Sequence, residues 1–471
     1  METLDYWLVG GYLLLILALG LNAGRKVNSL RQFAIAGGNY GTLVVFATLS
    51  ASYIGGGFTM GNAGVVYTIG LVNVAAIWGF SLKEILVGWF LAPRMRRFPD
   101  ALSAGDITGQ AYGREAKILT GVLGIIVCVA IVGAQVGAMG TVFQVFLGVE
   151  PIWGVLAGCT ILIVYSTFGG MRAVVVTDLV QFALLAIGLP LVLVMGVMAL
   201  GGVESTLEAI PPEHFDLFSN KTVIEFISLF FVLFMGEALV PPYLQRLMIG
   251  NPRKVAMGTI LSGIFSIPFF LITGCIGLVA LGLVDELTHG NLAIPTVVNQ
   301  VLPIGIKGLV IAGIISISMS SADSFLNSAA VCFSHDIVKP IVKGKPLTDR
   351  EELFMARIVT ATGGVISVIV AMMIPGLLDI LLFAYNFWAP LVLPALVAAF
   401  FGWQAPGRVF IAAAGVGLLA NLLWTYSDIG LSPTFGLWGN IDQLDGMIIG
   451  VLSNLVVLLI GLKTLGTRKA G

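Results

Sequence analysis

The chain has 471 residues, of which 58% are hydrophobic and 10% charged, with a formal net charge of −1 and a mean hydropathy of +1.01. A soluble domain carries about 25% charged residues, so this chain has too little charge to cover a water-facing surface. The near-zero net charge leaves no electrostatic footprint for nucleic acid. Cys128, Cys159, Cys275 and Cys332 lie far apart in apolar runs and read as packed thiols, while His214, His289 and His335 are too scattered for a metal or catalytic histidine site.

A membrane-spanning helix needs about 20 mostly apolar residues. The first apolar stretch, 6–24, follows Glu2 and Asp5 and precedes Arg25 and Lys26. That order is the reverse of a secretory signal, so the stretch reads as a retained helix. Further spans are expected at 42–67, 71–93, 116–148, 151–169, 174–200, 223–247, 255–283, 296–337, 353–374, 377–400, 406–425 and 442–465, thirteen in all. With this count every Lys and Arg except Lys83, Lys221 and Lys307 falls on one side, Arg246 among them. The alternate loops carry acids such as Glu150, Glu204, Asp285 and Asp428. The positive-inside rule then sets the N-terminus outside and the C-terminus in the cytoplasm of a multi-pass cell-membrane protein. The intervening loops are too short for a soluble domain, so 1–471 reads as a single transmembrane domain. No GxxxxGK[ST], HExxH or GxSxG motif is present, which argues against an ATP-driven pump and against an enzyme.

The second span is interrupted by Gly55-Gly56-Gly57 and the seventh by Gly236 to Pro242, with Pro241 and Pro242 adjacent. Consecutive glycines weaken a helix, and each proline removes a backbone donor. Packing glycines and a proline kink would explain either span alone. Together they occupy matching places in oppositely oriented halves, five helices apart, which is the pattern of a secondary transporter's binding site. Helices two to six (42–200) and seven to eleven (223–400) would be the repeats, with 6–24 before them and two helices (406–465) after. The ninth span places Ser316, Ser320, Asp323, Ser324 and Asn327 at helical spacing on one face. An Asp at membrane depth is costly unless paired or hydrated, and hydroxyl and carboxylate oxygens suit a hard cation such as Na⁺. A polar seam bonded to neighbouring helices is the plainer alternative. Asp178, near the end of the sixth span, would by itself be an interfacial charge.

Phe33-Ala34-Ile35-Ala36-Gly37-Gly38, Ser52-Tyr53-Ile54-Gly55-Gly56-Gly57, Phe168-Gly169-Gly170-Met171-Arg172-Ala173 with Thr177-Asp178, and Met319-Ser320-Ser321-Ala322-Asp323-Ser324 occur in this order. As a set they resemble the sodium:solute symporter family over nearly the whole chain. Gly79-Phe80-Ser81-Leu82 and Tyr243-Leu244-Gln245-Arg246 are most similar to its choline-transporter-like branch. The resemblance implies an all-α, LeuT-like inverted five-plus-five repeat that imports a small organic solute, an amine, amino acid or related polar metabolite, with Na⁺ as the coupling ion and no partner protein. It also implies a sodium site made by carbonyls of Ala51, Ile54 and Ile317 with the hydroxyls of Ser320 and Ser321. A second cation site, found in some members, would use Asp178, Ser320, Asp323 and Ser324. The solute would lie near Ser52, Tyr53, Gly55, Phe80, Gln135 and Glu237.

Tyr53 and Phe80 stand at positions of that branch's aromatic cage, but Val240-Pro241-Pro242 replaces its tryptophan segment and Val127 to Ile131 offers no ring. Choline is therefore expected to bind poorly. Lys83, Glu84 and Glu237 fall outside the implied sodium sites; Glu237 could meet a substrate amine or pair with Lys83, or the group could be a structural ion pair. Proton coupling through Asp178, Asp323 and Glu237 is the first rival reading. A solute sensor is a second, disfavoured because no output domain precedes Gly471, and a channel is a third, with no filter loop to support it.

Overall fold

A computed structural model describes the chain except residues 149, 218–221, 285, 343–346, 374–376, 426–443 and 469–471. Lys221, Asp285 and Asp428, used above to orient the loops, and the edges of two expected spans, at 374 and 442–443, lie outside the described residues. Apolar helices account for nearly all regular structure; one two-residue pairing, Trp403–Gln404 with Thr467–Arg468, is antiparallel β.

Among the described residues, nine helices are long and apolar enough to cross a membrane, or eleven when two bent pairs are each taken as one span. The first pair is Thr42–Tyr53 and Gly56–Ile69, whose axes differ by 55°. Its break falls at the glycine run, as the local chemistry demands. The second pair, Leu378–Tyr385 and Ala389–Phe400, bends by 61° in the expected 377–400 span, where no break was anticipated. The expected spans 151–169 and 174–200 form one helical run, Pro151–Ala199, continuous except at Gly170, whose φ of 54° is left-handed. A Cβ at Gly170 would meet Phe33, so both conformation and space call for glycine. The seventh span divides into Val223–Met235 and Pro241–Arg246. Prolines at the first helical positions of the second piece need no N–H bond there, so they start a helix rather than break one. The chain between the pieces is strained: Leu239 has a φ of 58°, unusual for a branched side chain.

Small residues bring these helices close. Gly277 of Pro252–Leu283 faces the Ala63 carbonyl, with no room for a Cβ, which is how membrane helices gain contact without a hydrophobic driving force. Asn62 donates to the Phe270 carbonyl and to Thr273 Oγ1, each at 2.8 Å, and accepts from Asn73. Asp5 shows how a buried charge is satisfied here. Its Oδ1 accepts from the N–H groups of Gly305 (2.8 Å) and Gly308 (2.9 Å) at the start of Ile306–Val331, so the first helix caps the polar-faced one. Asp5→Ala strands those donors and removes a negative charge from a helix N-terminus. We expect a loss of about 1–2 kcal/mol, read as a lower thermal midpoint in detergent; an unchanged midpoint would show the cap to be dispensable.

At the far end of the same long helix, Asp106, His335 and Asp336 come together. Lys117 Nζ is 2.6 Å from Asp106, and His335 Nε2 is 3.0 Å from it. Burial alone would raise Asp106, but His335 and Lys117 hold its carboxyl well below the usual range. The cluster ties the short helix Ala104–Tyr112 to its neighbours.

Candidate ion and solute site

The glycine break ends Thr42–Tyr53 early, so its last carbonyls lose their i+4 donors; only Ser50 keeps one, the Ile54 N–H. Ala51 and Ile54 sit in this stretch, and the Ser52 carbonyl accepts from Ser321 Oγ at 2.5 Å. A Cβ on Gly55 would lie 2.6 Å from Ser321 Oγ and 2.8 Å from Gln135 Oε1. Glycine thus lets the broken backbone reach the Ile306–Val331 helix on one side and Gln135 on the other. Gln135 Oε1 accepts from the Gly57 N–H at 3.3 Å. Ser320, Ser321, the freed carbonyls and Gln135 are buried together, and each serine hydroxyl keeps lone pairs for a cation.

Asp178 is fully buried and far from being an interfacial charge. Ser320 Oγ donates to its Oδ1 at 2.5 Å, and Thr48 Oγ1 donates to its Oδ2. Asp323 accepts from Tyr165 Oη at 2.8 Å and from Ser324 Oγ at 3.1 Å. Asp178, Ser320, Asp323 and Ser324 are therefore brought into one network. Arg246 stands among them. Its Nη2 lies 3.1 Å from Asp178 Oδ2 and 2.7 Å from Ser324 Oγ, and it also donates to Ser52 Oγ. Its assignment to the basic loops is corrected here: the side chain is fully buried, because the six-residue half-helix that begins at Pro241 turns it inward onto Asp178.

The expected solute residues divide between two places. Ser52 points its hydroxyl into the Arg246 network, 3.1 Å from Ser324 Oγ. Tyr53, Phe80 and Glu237 gather around Tyr243: ring centroids are 5.2 Å apart for Tyr53–Phe80, 6.1 Å for Tyr53–Tyr243 and 6.4 Å for Phe80–Tyr243. Tyr243 Oη donates to Glu237 Oε2 at 2.5 Å. Lys83 and Glu84 are buried beside these groups, Nζ to Oε1 2.9 Å. Glu237 belongs to the interruption between Met235 and Pro241, where single-turn bonds from Ala238 to Met235 and from Val240 to Glu237 replace a continued α-helix.

Sequence reasoning missed Arg246, Thr48 and Tyr165 as members of this centre. Arg246 carried a local signal, since it closes a half-helix that begins at a proline break. Thr48 and Tyr165 carried none, being one hydroxyl each in apolar helices.

A family model described as "Sodium:solute symporter family" matches residues 33–406. The osmoregulated proline transporter OpuE of Bacillus subtilis (strain 168) is 23% identical, over 96% of this chain and 94% of its own length. A sodium/proline symporter of Staphylococcus aureus is 26% identical over 96% and 92%, and the high-affinity choline transporter 1 of Caenorhabditis elegans 24% over 88% and 76%. Among solved structures, a Na⁺-coupled sialic acid symporter in a substrate-bound outward-open state superposes with a TM-score of 0.84 at 17% identity, covering both chains fully. A nucleobase-cation-symport-1 family transporter, closed with bromovinylhydantoin bound, gives 0.62 at 15% identity over 92% of this chain and 94% of its own. The broken helices, the oxygen-lined seam between them and these likenesses agree: the chain is a multi-pass membrane transporter with a LeuT-type fold, and it belongs to the sodium:solute symporter family.

Proposed function

We propose that this chain imports a small organic solute, an amine, amino acid or related polar metabolite, by alternating access coupled to Na⁺. The observation that carries the reading is the meeting of the broken Thr42–Ile69 pair with the Ser320–Ser321 hydroxyls. Freed carbonyls of Ala51 and Ile54, the Ile317 carbonyl and those two hydroxyls form a neutral oxygen set of the kind a hard monovalent cation takes. Relatives named for proline and choline transport support an amine-bearing solute. The solute would rest by Tyr53, Gly55, Phe80, Gln135 and Glu237, with Ser52 joining it to the ion sites, and Asp178, Ser320, Asp323 and Ser324 would hold a second cation beside Arg246.

Thirteen spans follow if Pro151–Ala199 is divided at Gly170 and the two pieces 223–246 count as one crossing. At about 1.5 Å per residue, the 49-residue run is more than twice the length that a bilayer of about 30 Å requires. In this reading the N-terminus would lie outside and the C-terminus in the cytoplasm, and the inverted repeats would span 42–200 and 223–400, with one helix before and two after, in a single domain of the cell membrane.

Ser321→Ala tests the sodium site. It removes one oxygen facing the ion and should raise the sodium concentration for half-maximal uptake about tenfold, as loss of a charge-assisted contact of about 1.5 kcal/mol would. Unaltered sodium dependence would take Ser321 out of the site. Proton coupling is the second reading, favoured by buried Asp178, Asp323 and Glu237. Uptake that persists when potassium replaces sodium at fixed pH would select it.

A further inference from the structure

Lys83 is the one charged group in the centre whose surroundings do not suit it as a lysine. Its Nζ lies 3.3 Å from the Phe80 ring centroid and 5.3 Å from that of Tyr243, and Tyr53 closes the same cluster. The residue is 2% exposed. Glu84 Oε1, 2.9 Å away, is its counter-charge, and no further acceptor meets the ammonium among the described residues. An ordinary buried ammonium seeks an acceptor for each of its three N–H bonds, because those left unmade are costly. Ring faces backed by carboxylates are instead the surroundings that suit a cation with no N–H at all.

We propose that Lys83 is a tethered ligand of the solute site: its ammonium fills an aromatic pocket made by Phe80 and Tyr243, with Tyr53 packed against both, whose ring faces suit a quaternary ammonium group, and so bars such solutes. The inference rests on the symporter reading above and deepens it by excluding a substrate class. It also replaces the reason for expecting weak choline binding. Two ring faces meet the position, Phe80 and Tyr243, with Tyr53 packed against both, and the position is taken by the protein's own cation. Trp78 does not contribute, since it is exposed and its Nε1 donates to the Ile267 carbonyl.

The test is equilibrium binding of tetramethylammonium to purified full-length protein, by thermal shift or by displacement of a labelled probe. Wild type and Lys83→Arg, which keep a tethered cation, should show weak binding. Lys83→Ala vacates the pocket, leaves Glu84 and Glu237 in place, and should tighten binding about 30-fold, the equivalent of about 2 kcal/mol for a desolvated cation over ring faces. If Lys83→Ala does not fold because Glu84 is left unpaired, Lys83→Ala/Glu84→Gln removes that charge and should show the same gain through Glu237 and the rings. Tight binding to wild type, or no gain in a folded variant that still responds to sodium, overturns the proposal. Loss of sodium-driven solute uptake by wild type would instead count against the symporter reading, since tetramethylammonium binding is measured without transport.

Discussion

Arg246→Ala is expected to abolish sodium-driven uptake and to destabilise the protein by about 3–5 kcal/mol, the cost of leaving a buried ion pair half made. The guanidinium is the only base in contact with Asp178 among the described residues, and it also holds Ser324 and Ser52. Without it two carboxylates, Asp178 and Asp323, share a dry seam with hydroxyls alone. A lysine has reach but no fork to serve three acceptors at once, so Arg246→Lys should recover only part of the loss. Two further results follow from the charge argument. Sodium should stabilise Arg246→Ala more than wild type, since a mobile cation can supply the missing charge. Arg246→Gln/Asp178→Asn should be more stable than Arg246→Gln alone, by a double-mutant cycle. Wild-type melting and uptake in Arg246→Ala would show that the pair is ornamental.

Legibility of this centre in the sequence followed the range of each signal. Glycine and proline act on their own few residues, so the breaks at Gly55-Gly56-Gly57 and before Pro241-Pro242 could be read directly. The bend between Tyr385 and Ala389 has no such mark beyond Pro390 and stayed hidden. The polar face of the ninth span was visible because helical spacing is local, whereas the guanidinium that it meets is 78 residues away in sequence. Charge counting actively misled there: a loop arginine and an arginine closing a half-helix look alike when only the side of the membrane is being tallied. Asp178 failed in the same way, its position near a span's end suggesting water where the fold supplies Thr48, Ser320 and Arg246. The rings around Lys83 come from three separate helices, and only Tyr53 and Phe80 were flagged, through family resemblance rather than pattern.

Wild-type protein is expected to move two cations per solute, and Asp323→Asn about one. Four carboxylates, Asp178, Asp323, Glu84 and Glu237, are buried near the broken helices, against two bases, Arg246 and Lys83. The bases fall one to each pair of acids: Arg246 by Asp178 and Asp323, Lys83 by Glu84 and Glu237. Each group is short of one positive charge. Isolated charges in low dielectric are expensive, and two carboxylates sharing one base repel unless a cation or proton joins them. Na⁺ held by the neutral oxygens around Ser320 and Ser321 would be one of the two coupling ions and would leave that deficit to be met by another. The second cation, Na⁺ or H⁺, would settle between Asp323, Ser324 and Asp178 and meet the first group's deficit, while an ammonium on the solute beside Glu237 would meet the other. Asn at 323 keeps the hydrogen bond from Tyr165 and removes the charge, so solute binding should survive while one unit of coupling is lost. Charge per solute in proteoliposomes, measured at several imposed voltages, reads this directly, and the same measurement with Asp178→Asn shows whether the two acids act as one site. A wild-type ratio of one that neither substitution changes would leave Asp323 as a hydrogen-bonded brace for Tyr165 and remove the second cation from the cycle.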